Sequence, residues 1–376
     1  MELSVNERAW LWLAESLGGS VAQCDRLIYL NDSLENAFMT ARSGGKLRLP
    51  ERTPDRNAAA LYDKCSDGYL DSVLESLMKK GVRPVTRDSA CYPELLREIY
   101  DPPILLYVKG RLPEKLETPI AVIGSRKSSD YGRQMARLFG KALAESGACV
   151  VSGMALGCDS EAAWGALEAE NASCPTVAVL GSGVDVVYPP TARRLYDAIT
   201  ERGAVISEQK PGASPSRSSF PQRNRIISGI SKGVLVVEAG EKSGTRITVD
   251  FALDQGREVF AVPAKLTDMT SAGSNALIKN GEAKPVFGAD DILSEFGTFT
   301  SKADIQVKMR AKPKLPPDQL RLYDLLLLGE KNRDELSELT GCSASEINVL
   351  LTEMELSGHV RQLPNGEYAL CASNTI

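Results

Sequence analysis

"PIAVIGSRKSSDYGRQMARLFGKALAESGACVVSG" (residues 119–153) is the stretch on which the fold turns. A short run of apolar, partly branched residues ends in Gly124, a helix-length segment follows, and a second such run ends in Gly153. The alternation continues through "TVAVLG", "GAVIS", "GVLVVEA" and "EVFAVP". Continuous apolar strands separated by helices are covered on both faces, so the pattern predicts a doubly wound α/β domain with a parallel sheet over 119–296. In such sheets ligands bind at the carboxyl ends of the strands, where the glycine-bearing turns lie.

Upstream, residues 1–90 read as a helical N-terminal domain. Apolar residues recur there at helical spacing from "VNERAWLWLAESLGG" to "YLDSVLESLMKKG". Proline-rich residues 91–118 read as a connecting segment with one strand, "ILLYVKG". Downstream, 297–316 is basic and proline-bearing, as a linker is. Residues 317–376 give three helices and two short strands around Asn365-Gly366, the outline of a winged helix.

Composition narrows the chemistry. The 376 residues are 43% hydrophobic and 25% charged with a net charge of -5, as in a soluble globular protein. No apolar run reaches about 18 residues and no signal pattern follows Met1, so the expectation is a cytoplasmic protein without a membrane span. Eight cysteines occur without a C-x-x-C, which predicts neither disulfides nor a thiolate metal site. The single histidine, His359, excludes a His-pair zinc site and argues against a Ser-His-Asp triad.

Three strand ends carry candidate anion turns: Gly124, Ser125 and Arg126; Ser152, Gly153 and Gly157; Gly181 and Gly183. Ser243, Gly244 and Thr245 open a further helix. Glycine lets backbone approach a ligand, and helix N-termini favour anions. One such turn is equally explained by tight strand-to-helix geometry, whereas several on one sheet edge point to a phosphate site. Neither G-x-G-x-x-G nor G-x-x-x-x-G-K-[ST] occurs, so no nucleotide cofactor is expected. Glu238 either orients backbone donors or serves as an acid, with Asp159 the other carboxylate available; loop capping is the preferred reading.

"SSFPQRNRIISGIS" (218–231) sits in the most basic part of the domain. From Gln209 to Val237 there are five basic residues (Lys210, Arg217, Arg223, Arg225, Lys232) and no acidic one, although charges over 118–296 nearly cancel. A local basic groove can hold a polyanion on a neutral protein. Arg223 and Arg225 lie about 200° apart on a helix, so one is expected to reach a ligand and the other to tie the helix down. Phe220 beside arginines and serines reads as a base-stacking platform, which favours single-stranded nucleic acid over a mononucleotide.

These residues resemble the DNA-processing protein A (DprA/Smf) family. The match runs through "AVIGSR", "VVSGMALGCDSEAA", "VAVLGSGVDVVYP", "FPQRNRIISGIS", "VVEAGEKSGTRITVDFALDQGREVFAVP" and "GSNALIKNG". The resemblance implies an extended Rossmann-like core that dimerises, binds single-stranded DNA in natural transformation and recombination, and loads the RecA recombinase, without catalysis. It carries over Ser125, Arg126, Arg217, Phe220, Asn224, Arg225, Ser243 and Gly244 as DNA-binding residues. Ser152, Gly153 and Arg223 join them from the turn and charge readings. The chain departs from the family at Cys158 and Trp164, where isoleucine and histidine are usual, and its N-terminus lacks glycine-rich DNA-gripping hairpins. The alternative is a nucleotide phosphoribohydrolase-like enzyme, whose P-G-G-x-G-T turn "EAGEKSGT" matches only in part. A duplex-binding regulator is disfavoured because residues 317–376 carry 4 basic and 10 acidic side chains. The winged helix is therefore expected to dock on protein.

Overall fold

The computed structural model describes residues 3–297, 315–327, 329–363 and 366–371. Chain contacts divide it into two units, Met1–Ile305 and Gln306–Ile376.

The first unit is built on a nine-stranded sheet. Its strands are β1 (Arg83–Thr86), β2 (Leu105–Gly110), β3 (Ile120–Ile123), β4 (Val150–Ser152), β5 (Thr176–Val179), β6 (Ala204–Ser207), β7 (Gly233–Val236), β8 (Glu258–Ala261) and β9 (Lys284–Pro285). They lie in the order β1-β2-β6-β5-β4-β3-β7-β8-β9. From β6 to β9 every neighbour is parallel. β3 to β6 are buried along their whole length, as a sheet covered on two faces requires. Helices Asp130–Glu145, Cys158–Leu167, Arg193–Arg202 and Thr245–Asp254 make the crossovers. The chain leaves β3 toward β4, β5 and β6, then returns to lay β7 on the other side of β3. The switch point of the sheet is thus between the ends of β3 and β7.

Residues 91–118, read from sequence as a connector, supply β2, which pairs antiparallel with β6. β1, inside the stretch read as helical, pairs antiparallel with β2 and forms the sheet edge. Five helices precede it: Val5–Leu17, Val21–Leu30, Leu34–Arg42, Asp55–Asp63 and Asp67–Lys79. They share one apolar core with the sheet, in which Trp12, Phe38 and Leu61 join Leu105, Tyr107, Leu180 and Tyr196. Residues 1–90 therefore pack as a flank of the α/β unit.

The second unit has helices Pro317–Leu327, Arg333–Thr340 and Ala344–Leu356, then β10 (Val360–Gln362) antiparallel to β11 (Tyr368–Leu370). Leu322, Leu336, Ile347, Leu351, Met354 and Tyr368 form its own core. Asn332 and Ser343 each close a capping box on the following helix. Asn365 of the expected hairpin turn, and most of the expected linker, lie outside the described residues.

Candidate nucleic-acid interface

At the switch point a cavity of about 440 Å³ opens between the turns after β3 and β7 and the start of helix Ser219–Ile230. Ser125, Arg126, Phe220, Arg223, Asn224, Ser243 and Gly244 of the sequence-derived set line it, with Lys127, Asp159 and Thr245.

The turn after β3 is held from below. Ser125 N–H donates to the Glu238 carbonyl at 2.7 Å, and the Glu238 carboxylate accepts from Ser129 N–H at 3.0 Å and Ser129 Oγ at 2.5 Å. Ser129 in turn caps helix Asp130–Glu145. Glu238 is fully buried and is not among the residues lining the cavity. It therefore holds the neighbouring turn. Asp159 reaches the cavity wall but accepts from Gly153 N–H at 2.9 Å. Burial raises its carboxyl above the usual range, while Arg223 and backbone N–H groups pull the other way. Each carboxylate is committed to backbone.

With that support the turn presents Arg126 and Lys127 exposed. The Arg126 guanidinium carbon lies 5.5 Å from the Phe220 ring centroid, a cation–π contact. Phe220 packs into the turn after β5, where a Cβ on Gly181 would sit 3.0 Å from its ring. Across the cavity, Ser243 Oγ accepts from Thr245 N–H at 3.2 Å and pairs with Thr245 Oγ1 at 2.8 Å, shaping the start of helix Thr245–Asp254.

The arginine-rich stretch behaves differently. Arg223 is 5% exposed; its guanidinium donates to the carbonyls of Gly153 at 2.9 Å and Val179, and to Asn224 Oδ1 at 3.2 Å. Burial pushes it down to about 10, so it stays charged at neutral pH. A Cβ on Gly153 would lie 2.6 Å from that guanidinium. Gly153 thus forms the bed of Arg223, Ser152 is fully buried with its hydroxyl on the Asp159 carbonyl, and neither lines the cavity. Arg225 faces away, donating to Glu208 at 2.6 Å and Asp101 at 3.2 Å. Lys210 pairs with Glu15 at 2.9 Å, and Lys232 lies over the Phe296 ring at 5.8 Å. Of the five basic residues, Arg217 is the one that is exposed and forms no ion pair among the described residues. Positive charge dense in sequence is largely consumed inside the fold.

Sequence reasoning did not single out Lys127 or Tyr188. Lys127 was legible beside Arg126 in "GSRK". Tyr188 has its ring centroid 5.6 Å from that of Phe220, a proximity that depends on the turn after β5 reaching the next helix.

Residues 83–297 match the family model of DNA recombination-mediator protein A, and residues 306–366 that of the DprA winged helix domain. DNA processing protein DprA of Streptococcus pneumoniae is 44% identical over 55% of this chain and 71% of its own length. Protein Smf of Escherichia coli is 37% identical over 79% of this chain and 80% of its own. The X-ray structure of the S. pneumoniae protein superposes with a TM-score of 0.64 at 33% identity, covering 78% of this chain and 99% of that one. The structure of DNA processing protein A from Helicobacter pylori, described for its single-stranded DNA binding mode, gives 0.51 at 26%, covering 57% and 95%. With more than half its length in that model, this chain belongs to the DNA recombination-mediator protein A family of DNA-processing proteins.

Proposed function

We propose that the switch-point cavity binds single-stranded DNA, with Arg126 and Lys127 of its lining and the exposed Arg217 outside that lining on phosphates and Phe220 against a base, and that the protein does no chemistry on the strand. The observation that carries this is the exposed Arg126 laid over Phe220 at the mouth of the cavity. It joins a phosphate-seeking cation to an aromatic surface that accepts any base. Ser125, Asn224, Ser243 and Gly244 line the same cavity and supply polar groups for the backbone. The hydrolase alternative loses support because Glu238 and Asp159 each serve backbone N–H groups.

Labelled oligo-dT should bind far more tightly than thymidine monophosphate. Affinity should fall with salt by about 0.7 log units per decade for each phosphate neutralised. Release of free base from a mononucleotide would favour the hydrolase instead.

Delivery of the bound strand to the RecA recombinase, and protection of incoming DNA, are part of the proposal, which membership of the recombination-mediator family supports. Added protein should shorten the lag of RecA assembly on a strand, and an unchanged lag would remove that step. Homodimerisation is assigned to the carboxyl ends of β8 and β9, where Leu266, Met269 and Phe287 are exposed apolar side chains. Met269→Glu should lower the sedimentation mass of a dimer. The second unit is assigned to protein docking: its third helix exposes Val349, Leu356 and acidic residues, with no basic side chain. Tight duplex binding by residues 317–376 would refute this.

A further inference from the structure

Phe220 is half-buried and lines the cavity, with neighbours on several sides. Arg126 lies over it, Gly181 stands against its edge, and Tyr188 packs beside it with the ring planes at 38°. Tyr188 is different: it is 45% exposed and stands outside the residues that line the switch-point cavity, on the β5 side. An exposed aromatic alone needs no explanation. This one adjoins Phe220, which also carries Arg126, so three flat groups from the turn after β3, the helix and the loop after β5 are neighbours. Neighbouring flat groups suit consecutive bases better than one, and a tyrosine offers wide contact area at low conformational cost.

We propose that Tyr188 is the outer stacking position of the groove, taking the base next to the one seated against Arg126 and Phe220. The proposal rests on the strand-binding reading above. It makes Tyr188 a positioning residue that acts through its ring and not through charge.

The test is fluorescence anisotropy with two labelled strands of equal length, oligo-dT and a strand of abasic sites, using the full chain and its Tyr188→Ala, Tyr188→Phe and Arg126→Ala variants. Tyr188→Ala should weaken oligo-dT binding by about 5- to 150-fold, the range for losing one stacked base. It should leave the salt slope and abasic-strand affinity as in the unmodified protein, and Tyr188→Phe should restore binding to within about twofold. Arg126→Ala should instead weaken both strands. Unchanged oligo-dT binding in Tyr188→Ala, or an equal loss on the abasic strand, would overturn the proposal while Arg126→Ala still upheld the groove. Absence of oligo-dT binding by the unmodified chain would sink the groove reading itself, and Tyr188 with it.

Discussion

Arg126 stands exposed in the turn after β3 with Phe220 beneath its guanidinium, whereas Arg223 and Arg225, on the helix that carries Phe220, are turned into the protein. The turn holds its cation from below: Glu238 and Ser129 satisfy the backbone, and the side chain is left to solvent. The helix spends its cations on the fold, Arg223 on carbonyls at the ends of β4 and β5 and Arg225 on Glu208 and Asp101. Local density of arginine is therefore a poor guide to a groove. What matters is whether each guanidinium meets an internal acceptor before it meets solvent.

Arg223 is the most sensitive position on the helix. Arg223→Met removes the donor to two buried carbonyls and leaves Asp159 without its cation, which should cost about 3–5 kcal/mol. Urea unfolding measures this, and a change below 1 kcal/mol would place the side chain among the ligand contacts instead. Phe220→Ala should cost about 1–3 kcal/mol of strand affinity, read by titration of oligo-dT. Arg217→Ala should weaken binding to all sequences alike and lower the salt slope by about 0.7; a sequence-dependent loss would show base contact.

The smallest effect is a pH dependence. Burial holds the Asp159 carboxyl above its ordinary value of 3.8, so the folded state binds that proton more tightly than the unfolded state. The contribution is fully present below 3.8 and is lost as pH rises through the raised folded value. Stability of the wild type relative to Asp159→Asn should therefore fall across that window and level off above it, as followed by urea midpoints at successive pH values. A relative stability that rises with pH would reverse the sign assigned to burial.

Strands β3 to β8 and their turns were legible because period and punctuation are local, whereas the two-residue β9 was not. "VIG", "VSG" and "VLG" each announce a buried strand end, the first two shortly before a helix. Ile226, Ile227 and Ile230 of helix Ser219–Ile230 recur at helical spacing, and all three are buried. The roles of Arg223 and Arg225 were not legible, since their acceptors at Gly153 and Asp101 lie 70 and 124 residues away. Nor was β1, a four-residue strand that pairs, among the described residues, with β2 alone at the sheet edge. The 200° separation of the two arginines did carry the fact that they face different partners. It carried no hint that both partners are internal.

The most direct measurement is the salt dependence of oligo-dT binding for Arg126→Ala beside Arg225→Ala. The slope should be lower by about 0.7 for Arg126→Ala and unchanged for Arg225→Ala. A slope that falls for Arg225→Ala and stays for Arg126→Ala would put the phosphates on the helix and contradict the groove drawn here.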